Sequence, residues 1–281
     1  ADVPVREADV SLPLGGDVRG IPLDAKKRHL ESLNALMLGR DRRVVDTQAA
    51  YRDEVVEYWY ANSEGTMLFE LRPEVTLSAV AVARDQGTIE RALESLGRRS
   101  GWDAVQHRED QFLAAADRAV ALLGAPRVRG GTYPVVLDPK LAGVFVHEAF
   151  GHLSEADFVY ENPQAREMMT LGRRFGGPDL TIGDDGSAAA LRGTLPFDDE
   201  GTPTRNTVLI QNGVLVGRLH SRETAAKMQE APTGNARALS FRHPPIVRMT
   251  NTYIASGTGT RDDLFRDIKL GIYACDAQGG Q

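Results

Sequence analysis

The chain has 281 residues, and 33 Lys and Arg against 39 Asp and Glu give it a net charge of −6. This acidic balance disfavours nucleic-acid binding, and 42% hydrophobic with 26% charged residues is a globular rather than a disordered composition. No apolar run approaches the roughly 18 residues needed to cross a bilayer, so no membrane span is predicted. The single cysteine, Cys275, cannot form an intramolecular disulfide. We therefore expect a cytoplasmic protein in a reducing compartment.

The first half of the chain predicts a helix, a group of strands and a second helix. Asp24 is a suitable N-cap for a helix that ends at Gly39. Short β-type runs between 43 and 84, with a turn at 62–65, indicate an antiparallel meander that ends at 85–87. The last of these runs alternates like a half-buried strand; its apolar positions are Val75, Leu77, Ala79, Ala81 and Ala83. Residues 109–123 have the apolar spacing of an amphipathic helix.

The second half begins after a Gly-containing linker at 127–134. Asp138 and Pro139 are N-cap and first-turn signals for a helix, and Asn212-Gly213 predicts the turn of a hairpin over 209–219. These patterns predict an α+β fold of antiparallel sheets with packed helices, divided into two domains. We expect 1–40 to be the remnant of an N-terminal α/β unit, 41–130 to be the middle domain, and 131–281 to carry the functional motif. The last segment stops in mid-pattern, so we expect this domain to be truncated.

The segment His147-Glu148-Ala149-Phe150-Gly151-His152 is the most informative one for chemistry. It is similar to the His-Glu-x-x-His zinc helix, in which two histidines bind the metal and the glutamate activates water, but its spacing is one residue longer. On a regular α-helix, residues five apart lie roughly 140° apart and cannot reach one ion. The spacing therefore predicts a local i→i+5 turn or a break, which Gly151 would make easy. Ordinary core or surface histidines are the alternative.

Five collinear segments between His147 and Ile254 resemble the TldD/PmbA family of metallopeptidases, which are also labelled modulators of DNA gyrase. The likeness is specific from Tyr133 to Ile254. The segments are "HEAFGH", "GTLPFDDEGTP", "LIQNGVLVGRLHSRETA", "PTGNARA" and "VRMTNTYI". The resemblance implies an α+β cytosolic peptidase from bacteria or archaea, which digests unfolded or short peptides, trims peptide leaders, and pairs as a homodimer or as a heterodimer with a paralogue. This chain resembles the catalytic type because it retains the His-Glu-x-x-x-His motif.

The resemblance implies that His147 and His152 are Zn²⁺ ligands and that Glu148 is the general base and acid. The family's third ligand is a cysteine in a Gly-rich segment near the C-terminus. Cys275 corresponds to a stretch upstream of that ligand, so we expect the third ligand beyond Gln281. With only two histidine ligands, zinc would be held poorly.

Other polar segments have weaker claims to function. Glu155 and Asp157 are suitable partners for imidazole N–H groups, although surface charge explains them equally well. Two further segments could frame a peptide cleft or form ordinary turns. One contains Asp199 and Glu200, and the other contains Gly234 and Asn235. Asp184-Asp185-Gly186 is interpreted as a turn without a role. The remaining histidines are interpreted as non-catalytic: His29, His107, His220 and His243.

The preferred function is a zinc-dependent peptidase acting on short or unfolded peptides, which would bind in extended form along a sheet edge. The alternatives are a non-catalytic, gyrase-modulator-like interaction subunit and a metal hydrolase with a different substrate. We expect neither a nucleic acid nor a membrane as partner.

Overall fold

The computed structural model describes residues 6–277. A four-stranded sheet dominates its first part. It comprises β1 (Glu7–Asp9), β2 (Val44–Ala61), β3 (Met67–Asp85) and β4 (Thr88–Arg98). Strand β3 pairs antiparallel with β2 along one edge; along the other it pairs antiparallel with β4 and, at its start, parallel with β1.

The antiparallel sheet over 43–84 is confirmed, but it contains two long strands rather than four short ones. Polar residues that lie between the short runs stay in register, as Asp53 does opposite Val75. Strand β4 was not predicted, because charged residues such as Glu90 and Arg91 obscure its alternation. A two-residue turn joins β3 to β4, with positive φ angles of 45° at Gln86 and 89° at Gly87.

Two helices, α1 (Leu23–Leu38) and α2 (Glu109–Leu122), cover one face of this sheet. The predicted alternation on β3 is confirmed, because all five of its apolar positions are buried. They pack with α1 and α2 side chains that include Met37 and Phe112. The predicted N-cap is wrong: Pro22 occupies that position and Asp24 lies in the first turn of α1. Pro22 makes no side-chain cap hydrogen bond, but its φ of −60° and ψ of 142° lead the extended chain into the helix.

The remaining helices and strands surround a second core. They are β5 (Val135–Leu137), α3 (Pro139–Val146), a π-turn (His147–Gly151), a 3₁₀ turn (His152–Ser154), α4 (Ala156–Glu161), α5 (Pro163–Met168), β6 (Ile182–Asp185), β7 (Asn206–Gln211), β8 (Val214–Leu215), α6 (Arg222–Met228), β9 (Ala236–Arg237), β10 (Ile246–Val247), β11 (Thr252–Ile254), α7 (Arg261–Phe265) and β12 (Ile272–Ala274). The two short 3₁₀ turns of the first part are Val18–Gly20 and Trp102–Val105.

Three small sheets organise this second part. Strands β11, β6, β7 and β8 form an antiparallel sheet, β9 pairs antiparallel with β10, and β5 pairs parallel with β12. The hairpin at Asn212-Gly213 is confirmed, with φ angles of 51° and 79°. The apolar core includes Phe150, Leu209 and Met249 and is separate from the core of the first part.

The fold is therefore α+β with antiparallel sheets and packed helices, as the sequence predicts. The proposed boundaries at 40/41 and 130/131 stay predictions; helix α1 contributes Leu33 and Met37 to the same core as the long sheet. Within the described residues, no helix combines the length and apolar character required to cross a bilayer.

Candidate functional site

The predicted distortion of the motif helix is confirmed. Helix α3 begins where Asp138 accepts a hydrogen bond from the Leu141 N–H at 2.7 Å. After Val146 the chain widens into the π-turn, which closes when the His152 N–H donates to the His147 carbonyl. The extra residue brings the two imidazole rings together, with centroids 4.9 Å apart and planes at 80°. A regular α-helix would have directed them apart.

The prediction that Gly151 permits the distortion through its backbone freedom is wrong. Its φ of −58° and ψ of −50° are ordinary helical values that any residue adopts, so the distortion does not use the freedom of glycine. The position instead excludes a side chain: a Cβ at Gly151 would collide with the Sδ of buried Met249. Glycine lets the π-turn pack closely against the second core.

Glu155 lies behind His152. Its Oε1 is 3.3 Å from Nδ1 of His152, and its Oε2 is 3.5 Å from an Nη of Arg248. Burial raises the pKa of Glu155, while His152 and Arg248 act in the opposite direction. The contact is at ion-pair distance, and Oε1 accepts no well-aligned hydrogen bond within the described residues. A carboxylate on the Nδ1 side leaves Nε2 facing away from Glu155, which is the side that metal-binding histidines use.

Glu148 is exposed, and its carboxylate makes no hydrogen bond or ion pair with residues 6–277. It precedes the second histidine by four residues on the π-turn. Asp157, by contrast, does not contact either imidazole: its Oδ2 accepts the Val247 N–H at 3.0 Å. It therefore links α4 to β10.

The acidic segment at 198–200 connects backbone segments. Asp198 is buried and accepts the N–H groups of Glu200, Thr202 and Ala236; burial raises its pKa to about 7, against the effect of these hydrogen bonds. Asp199 accepts the Ala238 N–H at 2.9 Å. The Oε2 of Glu200 accepts the Arg222 N–H at 2.7 Å.

Asn235 is buried, and its side-chain amide makes hydrogen bonds within the protein. Its amide donates to Asp184 at 2.9 Å and to the Arg248 carbonyl at 3.0 Å. The preceding Gly234 has a φ of 80° and approaches the backbone of Pro203, so it forms a tight turn.

Asp184 is the residue that the sequence analysis missed most clearly. It lies on β6 rather than in a turn, is fully buried, and accepts hydrogen bonds from Asn235 and from the side chains of Thr250 and Thr252. The partners are separated from it by 51 to 68 residues, so no local pattern reveals them. The alternating threonines of "TNT" at 250–252 were the available signal.

His220 is also buried within a polar network. Its Nε2 is 3.1 Å from Glu230 and its Nδ1 is 3.1 Å from Thr224. These contacts fit the non-catalytic interpretation, because both ring nitrogens already have partners.

A cleft of about 640 Å³ opens beside Arg248. Its lining residues come from β9, β10, the loop between them and the residue after β10: Arg237, Ala238, Leu239, His243, Pro244, Ile246 and Arg248. The cleft is connected to the imidazole pair through the Arg248–Glu155–His152 contacts.

The imidazoles of His147 and His152 suit a zinc ion, since neutral ring nitrogens are among its preferred ligands. Their ring spacing and the carboxylate behind His152 also fit. The portion of the chain that the structure describes contains no group of three or more His, Cys, Asp or Glu that could hold a metal. Cys275 is exposed; Gln281 lies outside the described residues.

Two family models match the chain: the PmbA/TldA metallopeptidase central domain over residues 16–125 and the C-terminal domain over 130–281. A metalloprotease from Synechocystis is 46% identical, with 99% of this chain and 60% of the relative covered. A zinc metalloprotease TldD homologue from Saccharolobus solfataricus is 31% identical, over 97% of this chain and 62% of the relative.

The fold is similar to the crystal structure of a proposed modulator of a DNA gyrase from Thermotoga maritima. The TM-score is 0.82 at 24% identity, and 99% of this chain and 62% of that chain are covered. The chain thus spans about 60% of the length of these similar proteins. Because the C-terminal-domain model alone matches more than half of it, the chain belongs to the PmbA/TldD family of metallopeptidases.

Proposed function

We propose that the chain belongs to a zinc-dependent peptidase that hydrolyses short or unfolded peptides and trims peptide leaders. The observation that carries this proposal is the π-turn, which brings His147 and His152 together with ring centroids 4.9 Å apart. The names of the metalloprotease relatives support the same chemistry. A third protein ligand would come from outside residues 6–277.

Each side chain of the site would have a different role in hydrolysis. His147 and His152 would hold the zinc ion, which when bound polarises the scissile carbonyl and makes water more acidic. Glu148 has no hydrogen-bond or ion-pair partner among residues 6–277, so it would accept a proton from the attacking water and return it to the leaving amine. Glu155 would keep the ring of His152 oriented.

Substrate, assembly and compartment belong to the same proposal. We expect an extended peptide with little sequence preference, because backbone pairing along a sheet edge reads few side chains. We expect a homodimer or a heterodimer with a paralogue, acting in the cytoplasm. The net charge of −6 disfavours nucleic acid as a partner.

The experiment compares zinc content and peptide hydrolysis in the intact protein, three site variants and one control variant. Glu148→Gln should retain zinc but lose activity by a factor on the order of 10² or more, because the basic carboxylate is gone. His147→Ala and His152→Ala should lose both zinc and activity. His107→Asn is the matched control, since His107 is exposed in the first part of the chain. Hydrolysis by Glu148→Gln at the wild-type rate would refute the mechanism.

A further inference from the structure

The cleft beside the imidazole pair contains two arginines on one face of the β9–β10 ribbon. Arg237 lies opposite Ile246, and Arg248 is two residues beyond Ile246, where its N–H donates to the Asn235 carbonyl at 2.8 Å. Side chains alternate along a strand, so Arg237 and Arg248 project on the same side, as diagonal neighbours about 7–8 Å apart. Both line the cleft.

Arg237 has no direct hydrogen-bond or ion-pair contact in the described part of the chain, although Asp199 and Asp184 attract its charge from a greater distance. Its half-buried guanidinium makes no hydrogen bond or ion pair with residues 6–277. Burial lowers the pKa of Arg237, and the charge of Arg248 acts in the same direction, whereas Asp199 and Asp184 act against them. A desolvated cation beside a second cation is unfavourable until an anion joins them.

The nearby acidic groups already accept hydrogen bonds from other residues, although Oδ1 of Asp199 accepts none within the described residues. Asp199 accepts the Ala238 N–H and lies 3.6 Å from Arg72. Asp184 is fully buried and accepts several hydrogen bonds from its own neighbours. Arg248 contacts Glu155 through one Nη at 3.5 Å, and its other guanidinium nitrogens make no hydrogen bond within the described residues. The pair therefore retains donors for an external anion.

The geometry points to a carboxylate-binding subsite in which Arg237 and Arg248 hold a carboxylate of the peptide substrate. This inference rests on the proposed peptidase function for the identity of its ligand. Guanidinium groups bind carboxylates through paired N–H donors, which gives both strength and direction. The Arg248–Glu155–His152 contacts place this subsite next to the imidazole pair. A peptide bound there would have its cleaved bond within a few residues of the carboxylate.

The rim of the cleft suits a peptide as well. Leu239, which lines the cleft, and Phe241, two residues further along the same β9–β10 loop, are 88% and 93% exposed. Apolar side chains this exposed beside a charged cleft offer contacts to the apolar residues of an unfolded peptide. The carboxylate would fix the position of the chain, and the rim would add contact area without a strict sequence requirement.

The test measures binding separately from cleavage. Three N-terminally labelled peptides share one sequence except at the carboxylate: a free C-terminal acid, its C-terminal amide, and the amide with one internal Asn replaced by Asp. Fluorescence anisotropy on the Glu148→Gln protein gives the dissociation constants. We expect the free acid to bind at least about tenfold more tightly than the amide, because a charged hydrogen-bonded pair is lost on amidation.

Variants at the pair assign the effect to the cleft. Arg237→Gln should remove the preference for the acid over the amide, and Arg237→Lys should retain part of it because the positive charge remains. Arg28→Gln, an exposed position on α1, should behave like the parent protein.

The outcomes separate the two proposals. Tight binding by the Asp-containing amide would show that the subsite binds a side-chain carboxylate. Tight binding by the free acid alone would show that it binds the C-terminal carboxylate. Equal affinity of all three peptides for the parent protein would overturn the subsite, as would a preference that survives both Arg237 variants. If the acid is preferred but the wild-type protein cleaves no peptide, the subsite stands and the peptidase function fails.

Discussion

Gly151 shows how a single position controls the site. Its missing side chain, not its backbone freedom, lets the π-turn lie against Met249. Gly151→Ala should therefore destabilise the protein by about 1–3 kcal/mol, the usual cost of overpacking a core. Chemical denaturation measures this loss, and zinc content measures whether the turn is displaced.

Matched variants test the reason for the loss. Gly143 lies on the preceding helix with open space around its Cβ position, so Gly143→Ala should be neutral or slightly stabilising. Combining Gly151→Ala with Met249→Ala should cost less than the sum of the single changes, since the collision is then relieved. Strict additivity would show that Met249 is not the cause.

Glu155 leads to a second prediction for a single residue. Glu155→Gln keeps the shape of the side chain but removes the charge beside His152, so zinc affinity should fall by about 10- to 100-fold. Competition with a chelator measures the affinity. Glu161→Gln, at the exposed end of α4, is the control and should leave it unchanged. A normal affinity in Glu155→Gln would remove this residue from the site.

The distance between partners along the chain explains which residues could be identified from the sequence. The turn between His147 and His152 was predictable because a five-residue spacing has a local geometric consequence. The hydrogen bonds of Asp184 and Asn235 were not, because their partners come from distant segments. The roles suggested for Asp157 and Asn235 rested on position in a motif, and the fold directs both side chains to internal contacts.

Among the elements, β6 depends most on one side chain. Asp184 joins β6 to β11 and to the turn before β9, and it does so from a fully buried position. Asp184→Ala would leave several buried donors without an acceptor, so we expect a loss of about 3–5 kcal/mol in the free energy of unfolding. Urea denaturation measures it.

Its neighbour Asp185 provides the comparison. The Asp185 carboxylate accepts from Ser187 at the surface, so Asp185→Ala should cost less than about 1 kcal/mol. Similar losses at the two positions would show that Asp184 does not hold the strands together. The sequence could not distinguish these adjacent aspartates, because both occur in a segment with the composition of a turn.

At the scale of the whole molecule, ion pairs connect the two cores. Glu94 on β4 lies 3.2 Å from Lys140 on α3 and 2.9 Å from Arg118 on α2. Both cations also contact Asp276, at 2.9 Å from Lys140 and 3.3 Å from Arg118. A second connection runs from the Tyr60 hydroxyl to the Glu200 carbonyl at 2.8 Å. Arg118 and Lys140 lie in helices that the sequence predicts, whereas Glu94 lies on the unpredicted strand β4, and only the assembled fold brings the three together.

The network at Glu94 makes this connection sensitive to acid. Burial raises the pKa of Glu94, but hydrogen bonds from Arg118, Gln111 and Lys140 outweigh it and leave the pKa below its ordinary value. A carboxylate with a lowered pKa in the folded state adds stability above its unfolded pKa, and this stability is lost as the pH falls through the folded value. Glu94→Gln should therefore cost about 1–2 kcal/mol at pH 7 and progressively less below about pH 4.5. Thermal melts of both proteins between pH 3 and pH 8 measure the difference.

Glu90→Gln on the same strand is the control. Because Glu90 makes no ion pair with the described residues, this change should shift the curve of stability against pH little. A difference between Glu94→Gln and wild type that stays constant across this pH range would show that the ion pairs do not stabilise the junction.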